Sequence, residues 1–142
     1  VELGDGRLMI NSRSYRKQGC RALAFSEDGG ATWSPMHDET ALPEPICQGS
    51  ILRYSDPLDG EPSRLLFSNP GHASKRKNGT IRLSLDEGKT WARNAILVPE
   101  YYGYSCLARL PDGRVGCLYE TANCGEIRFA SFPLAWLEQR LR

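Results

Sequence analysis

Apolar residues in this chain come in short runs, each closed by Gly, Pro, Asp or Asn, and a helical period surfaces only near the end. The runs read as strands. One covers 7–11 after a Gly-Asp-Gly turn, and another covers 22–25. Runs 50–54 and 64–68 flank the polar turn Asp56-Pro57-Leu58-Asp59-Gly60. A further run at 80–83 stands alone, while 105–110 and 114–119 flank Pro111-Asp112-Gly113, a strong hairpin signal. A last strand is expected at 127–132. The stretch 35–45 is polar and rich in proline, and reads as a loop. Leu134, Trp136, Leu137 and Leu141 fit one face of a short C-terminal helix opened by Pro133. The class is all-β, and spacing alone fits a sandwich as well as a propeller.

A repeat tips that balance. The pattern S-x-D-x-G-x-T-W occurs twice, beginning at Ser26 and again at Ser84. Its residues make physical sense as a hairpin closure. Asp28 and Asp86 can accept bonds from backbone amides further along a tight turn. Gly30 and Gly88 supply a positive φ without steric cost. Trp33 and Trp91 would anchor the turn by burying a large ring. Repeated hairpins of this kind point to propeller blades, with both aspartates as structural groups and not acid–base candidates.

Composition adds bounds. At 142 residues with 40% hydrophobic and 25% charged content, the chain is of ordinary globular type and long enough to bury a core. A net charge of +1 gives no whole-chain argument for nucleic acid or an acidic membrane surface. No apolar run approaches membrane-spanning length. The opening residues Val1-Glu2-Leu3-Gly4-Asp5-Gly6 do not resemble a signal peptide and read as the inside of a strand, so the chain is expected to be a fragment of a longer protein. Five cysteines occur without a C-x-x-C pair, so no metal site is expected. Cys20, Cys106 and Cys117 fall in strand-like runs and read as buried free thiols; a disulfide between two of the five stays open. Asn78-Gly79-Thr80 fits a glycosylation sequon, meaningful only in a secreted eukaryotic protein.

Four places carry candidate chemistry: Glu2; Arg21, five residues before the first repeat; Arg76, within the basic run Lys75-Arg76-Lys77; and Tyr104, followed by a hairpin that ends at Tyr119-Glu120. Together with the repeats, these strings resemble the sialidase (neuraminidase) family. The repeats resemble its Asp-boxes. Tyr104-Ser105, Leu110-Pro111-Asp112-Gly113 and Gly116-Cys117-Leu118-Tyr119-Glu120 resemble the segment bearing its tyrosine nucleophile. The string from Leu8 to Arg13 resembles the strand after its glutamate, and the ending resembles the close of a bacterial-type sialidase domain.

The resemblance implies a six-bladed β-propeller, of which residues 1–142 would be the C-terminal part: about the last three blades plus a short helix. It implies Tyr104 as nucleophile and Glu2 as the carboxylate that takes its proton. Arg21 and Arg76 would be two of three arginines gripping the substrate carboxylate, and Glu120 would orient the remaining arginine. Gln48 would lie near the sugar's substituents. Arg82 is the alternative to Arg76, and Arg13 and Arg16 stand close to Arg21 in sequence. No cofactor is implied. The implied partners are sialylated glycans and the rest of the same propeller, in a secreted or cell-surface parent protein.

The residues suit that chemistry. Guanidinium groups bind a carboxylate in a bidentate way and fix its orientation. A tyrosine is neutral until deprotonated, so it approaches an anionic substrate without the repulsion a carboxylate nucleophile would meet; sialidases are a named exception to the two-carboxylate scheme. The expected activity is retaining exo-α-sialidase hydrolysis, with the fragment inactive by itself. Transfer to an acceptor sugar would use the same residues. A non-catalytic Asp-box propeller that binds glycan or protein remains the alternative, because the repeat marks a fold and not a function.

Overall fold

The computed structural model describes residues 1–139, and Leu141 of the expected helix lies outside them. The strands are β1 (Leu8–Ser12), β2 (Cys20–Ser26), β3 (His37–Pro43), β4 (Ser50–Ser55), β5 (Arg64–Pro70), β6 (Lys77–Ser84), β7 (Arg93–Tyr101), β8 (Ser105–Arg109), β9 (Val115–Thr121) and β10 (Glu126–Phe132). One short helix, α1 (Ala135–Glu138), follows. The strands form three antiparallel meanders, ordered β1-β2-β3, β4-β5-β6-β7 and β10-β9-β8. Each strand pairs with its neighbour in sequence, the arrangement that short turns permit.

The middle sheet is buried on both faces, which explains its near-continuous apolar runs. In β5, Leu65 and Phe67 point to one side and Leu66 to the other. Leu65 and Phe67 join Leu3, Met9, Leu23, Leu42 and Trp91 in a core against the first sheet. Leu66 joins Ile81, Leu83, Tyr102, Val115, Cys117 and Phe132 in a core against the third. Leu137 is fully buried there, so the helix tail closes that second core. The outer face of the third sheet stays open: Leu118, Ile127 and Phe129 are 49%, 75% and 58% exposed. Cys106, Leu118 and Phe129 align across that face, beside a row formed by Tyr104, Glu120 and Ile127.

The repeats close the β2–β3 and β6–β7 hairpins. In each, the aspartate accepts from the serine hydroxyl, the threonine amide and the threonine hydroxyl at 2.6–2.8 Å. Gly30 and Gly88 take φ of 95° and 79°, as the turn requires. The tryptophans differ. Trp91 is 4% exposed and packs on Phe67, whereas Trp33 is 38% exposed.

Two expectations need correction. Residues 35–45 are not a loop throughout, since β3 pairs with β2 through a bulge at Cys20/Arg21. It is an exposed edge strand whose polar side chains face solvent, so it lacks an apolar signature. Cys20, Cys47 and Cys117 are buried free thiols, but Cys106 is an exposed one, on the open face.

Candidate functional site

The site collects at one end of the sheets, opposite the Asp-boxes. Tyr104 directly precedes β8 and is 40% exposed. Its backbone N–H donates to Glu120 Oε2 at 3.0 Å, across the β8–β9 hairpin. Gly103 makes this close approach possible, because a Cβ there would stand 2.4 Å from the same carboxylate oxygen. Arg13, just past the end of β1, donates from Nη1 to the Tyr104 hydroxyl at 3.2 Å. Arg76, before β6, places its guanidinium carbon 5.3 Å from the centre of the Tyr104 ring. Hydrogen bonding to the Tyr101 hydroxyl holds the Arg76 pKa above its ordinary value, and the bond to Tyr104 does the same for Arg13. Asn11, Arg13, Arg21, Gln48, Gly49 and Tyr104 line a cavity of about 360 Å³.

The expected site residues divide. Tyr104, Arg76 and Glu120 are brought together, and Gln48 lines the cavity with Tyr104. Glu2 is not. It bridges Leu8 at the start of β1, and its carbonyl accepts from Arg53 near the end of β4. Gln48 and Arg13 sit at the opposite ends of those strands, five residues on, which at 3.3 Å per residue is about 16 Å. Glu2 is therefore too far to take a proton from Tyr104. Its placement relied on register at the first residues of the chain, and a strand pattern fixes a face without fixing which end holds the site.

Arg21 is also displaced from the role expected of it. It forms part of the cavity's wall, but only 2% of it is exposed. Its Nε and Nη2 donate to Asn11 and its Nη1 to the Cys47 carbonyl, with Glu44 Oε2 at 3.8 Å. Burial lowers its pKa to about 10, so it stays charged at neutral pH but cannot reach out to a ligand. Arg13 is the guanidinium that meets Tyr104. The signal for it was present: Arg13 follows directly on a strand, where a side chain projects past the sheet, while Arg21 is flanked by Cys20, Ala22 and Leu23.

Gln48 is half-buried at the cavity wall, with its amide engaged. Its Oε1 accepts from Ser105 N and its Nε2 donates to Ser105 O, both at 2.9 Å.

Comparison with known proteins fits this geometry. The model of the BNR repeat-like domain matches residues 1–117. A sialidase of Micromonospora viridifaciens is 42% identical over 140 residues, 96% of this chain and 21% of that protein. The chain belongs to the BNR-repeat sialidase family. A sialidase of Bacteroides fragilis is 39% identical over 86% of the chain and 23% of its own length. Among solved structures, a leech intramolecular trans-sialidase complexed with 2,7-anhydro-Neu5Ac superposes with a TM-score of 0.81 at 33% identity, over 98% of this chain and 24% of that one. The chain thus spans roughly a fifth to a quarter of the sialidases it matches. Among the described residues, no helix is long and apolar enough to cross a membrane.

Proposed function

We propose that the protein carrying this chain is a retaining exo-α-sialidase that removes terminal sialic acids from glycans, with the three sheets as successive blades of a six-bladed propeller. The observation that carries the reading is one phenol, Tyr104, flanked by two guanidinium groups, Arg13 and Arg76. A sialic acid bears a carboxylate on its anomeric carbon. Arg13 and Arg76 would bind that group and set the anomeric carbon against Tyr104 Oη. The phenol oxygen would bond to the anomeric carbon as the glycosidic bond breaks, and water would then release the sugar with retention. Both arginines would favour the negative charge that develops on Oη as its proton leaves. Glu120 holds the Tyr104 backbone and would pair with a further arginine. The base for the phenol proton and the acid for the leaving oxygen would be supplied by other parts of the protein. The partners would be sialylated glycans.

The test is turnover of a fluorogenic sialoside by the full-length protein and its Tyr104→Phe variant. The expected loss is at least about 10³-fold in kcat with the fold retained. Unchanged turnover would remove Tyr104 from the reaction. Sialic acid binding without hydrolysis over long incubation of the wild type would favour a glycan-binding propeller instead. A product that requires an acceptor sugar, or forms within the sialic acid itself, would move the assignment to transfer.

A further inference from the structure

Beyond that reading, and resting on it, we infer that Arg21, Glu44 and Gln48 are positioning residues that together fix the separation of Arg13 and Tyr104. Arg21 and Glu44 are buried, and Gln48, although it lines the cavity, has both amide atoms engaged by Ser105. Each holds backbone beside Arg13 or Tyr104, or backbone that leads to it.

Bonds can be followed around a closed circuit. Arg21 holds Asn11 through Nε to Oδ1 at 2.7 Å and Nη2 to the carbonyl at 2.8 Å. Glu44 Oε1 accepts from Ser14 N at 2.8 Å. Arg13 therefore sits between two backbone points pinned by the same buried ion pair. On the other side, Arg21 Nη1 donates to the Cys47 carbonyl at 2.7 Å and Glu44 Oε2 accepts from Cys47 N at 2.8 Å. Both polar backbone groups of the residue before Gln48 are thus held. Gln48 then grips both backbone groups of Ser105, next to Tyr104. The circuit closes with the bond between Arg13 and the Tyr104 hydroxyl.

The chemistry of the pair fits this role better than a role in stability. Glu44 is 1% exposed and Arg21 2%. Burying both charges costs desolvation that their attraction repays only in part, and an apolar pair fills such a space as stably. An apolar pair could not hold Asn11, Ser14 and Cys47 at once. Only a planar fork and a two-oxygen acceptor span them. The loop between them is also forced: Ile46 takes φ of 55°, a left-handed region that β-branched residues seldom occupy. The Glu44 and Arg21 bonds to Cys47 keep it there.

Arg21→Lys tests this in the full-length protein, because it keeps the buried charge and removes the fork. The expected result is a folded protein whose kcat falls about 10- to 100-fold with a smaller change in KM, as displacement of about an ångström at a reacting group produces. Backbone amide exchange at Ser105 should quicken as well, although Ser105 touches neither Arg21 nor Glu44. A purely structural residue would lower the melting temperature and leave both readouts unmoved. A folded Arg21→Lys protein with kcat within about twofold of wild type and unchanged exchange at Ser105 overturns the inference. If Arg21→Lys does not fold, Gln48→Met decides by the same two readouts. A wild-type protein inert toward sialosides defeats the sialidase reading; the exchange result then decides the positioning claim independently.

Discussion

Removing the Arg13 guanidinium separates the site seen in the structure from other placements of the arginines. Arg13 is exposed, lies in the loop beyond β1 and donates to Tyr104 Oη at 3.2 Å. A hydrogen bond to a charged partner is worth about 1.5–3 kcal/mol, so Arg13→Ala should weaken carboxylate binding by about 10- to 150-fold while Arg76 remains. Arg13→Lys keeps the charge and loses the bidentate fork, so it should recover only part of the loss. Titration of N-acetylneuraminic acid and of its methyl ester into the full-length protein, at fixed ionic strength, isolates the carboxylate. The wild type should prefer the acid, and Arg13→Ala should level the two. Arg16 serves as the control, since its guanidinium is occupied by the Met36 carbonyl and by Asp38. Acid affinity unchanged in Arg13→Ala would refute the assignment of that guanidinium to the substrate carboxylate.

Two further outcomes concern stability. The Arg53 guanidinium, with Ser63 and the Gly4 amide, lowers the Glu87 pKa to about 2, so this carboxylate stabilises the fold above its unfolded pKa and loses that contribution as pH falls from about 4.5 toward 2. The ceiling is about 3 kcal/mol from the shift, and solvent contact at 23% exposure reduces it to about 1–2. Glu87→Gln should flatten the acid limb of a denaturation-midpoint series, and an unaltered limb would contradict the assignment. Trp91→Ala should cost about 3–5 kcal/mol in urea unfolding and Trp33→Ala about 1 or less, because only the first empties a packed core; equal losses would show that the two boxes are anchored alike.

Local patterns revealed most of the architecture. Among the described residues the apolar runs located eight of the ten strands, because a strand that packs a face on a core leaves a visible mark. The polar edge strand β3 left none. β7 is interrupted by register shifts against β6, and its pattern is broken accordingly. In the candidate site, Tyr104, Arg76 and Glu120 were legible from their strings. Arg21 was misassigned because a charged side chain in a strand says nothing of its burial. Only the tertiary structure shows that its hydrogen bonds end on Asn11 and Cys47. Glu2 failed for a different reason: short antiparallel strands carry their two ends to opposite poles of the molecule, and sequence proximity to Arg13 conceals that distance.

The uncovered surface of β8, β9 and β10 has a consequence for how activity would arise. Leu118 and Phe129 share that surface with Tyr104 and Glu120. Any element seated there would bring the apolar rows out of water and at the same moment build a wall beside the phenol. Tight assembly and a dry reaction chamber would then be the same physical event, so a substitution that loosens the seam, such as Leu118→Asp, would let solvent into the chemistry without touching a single reacting group.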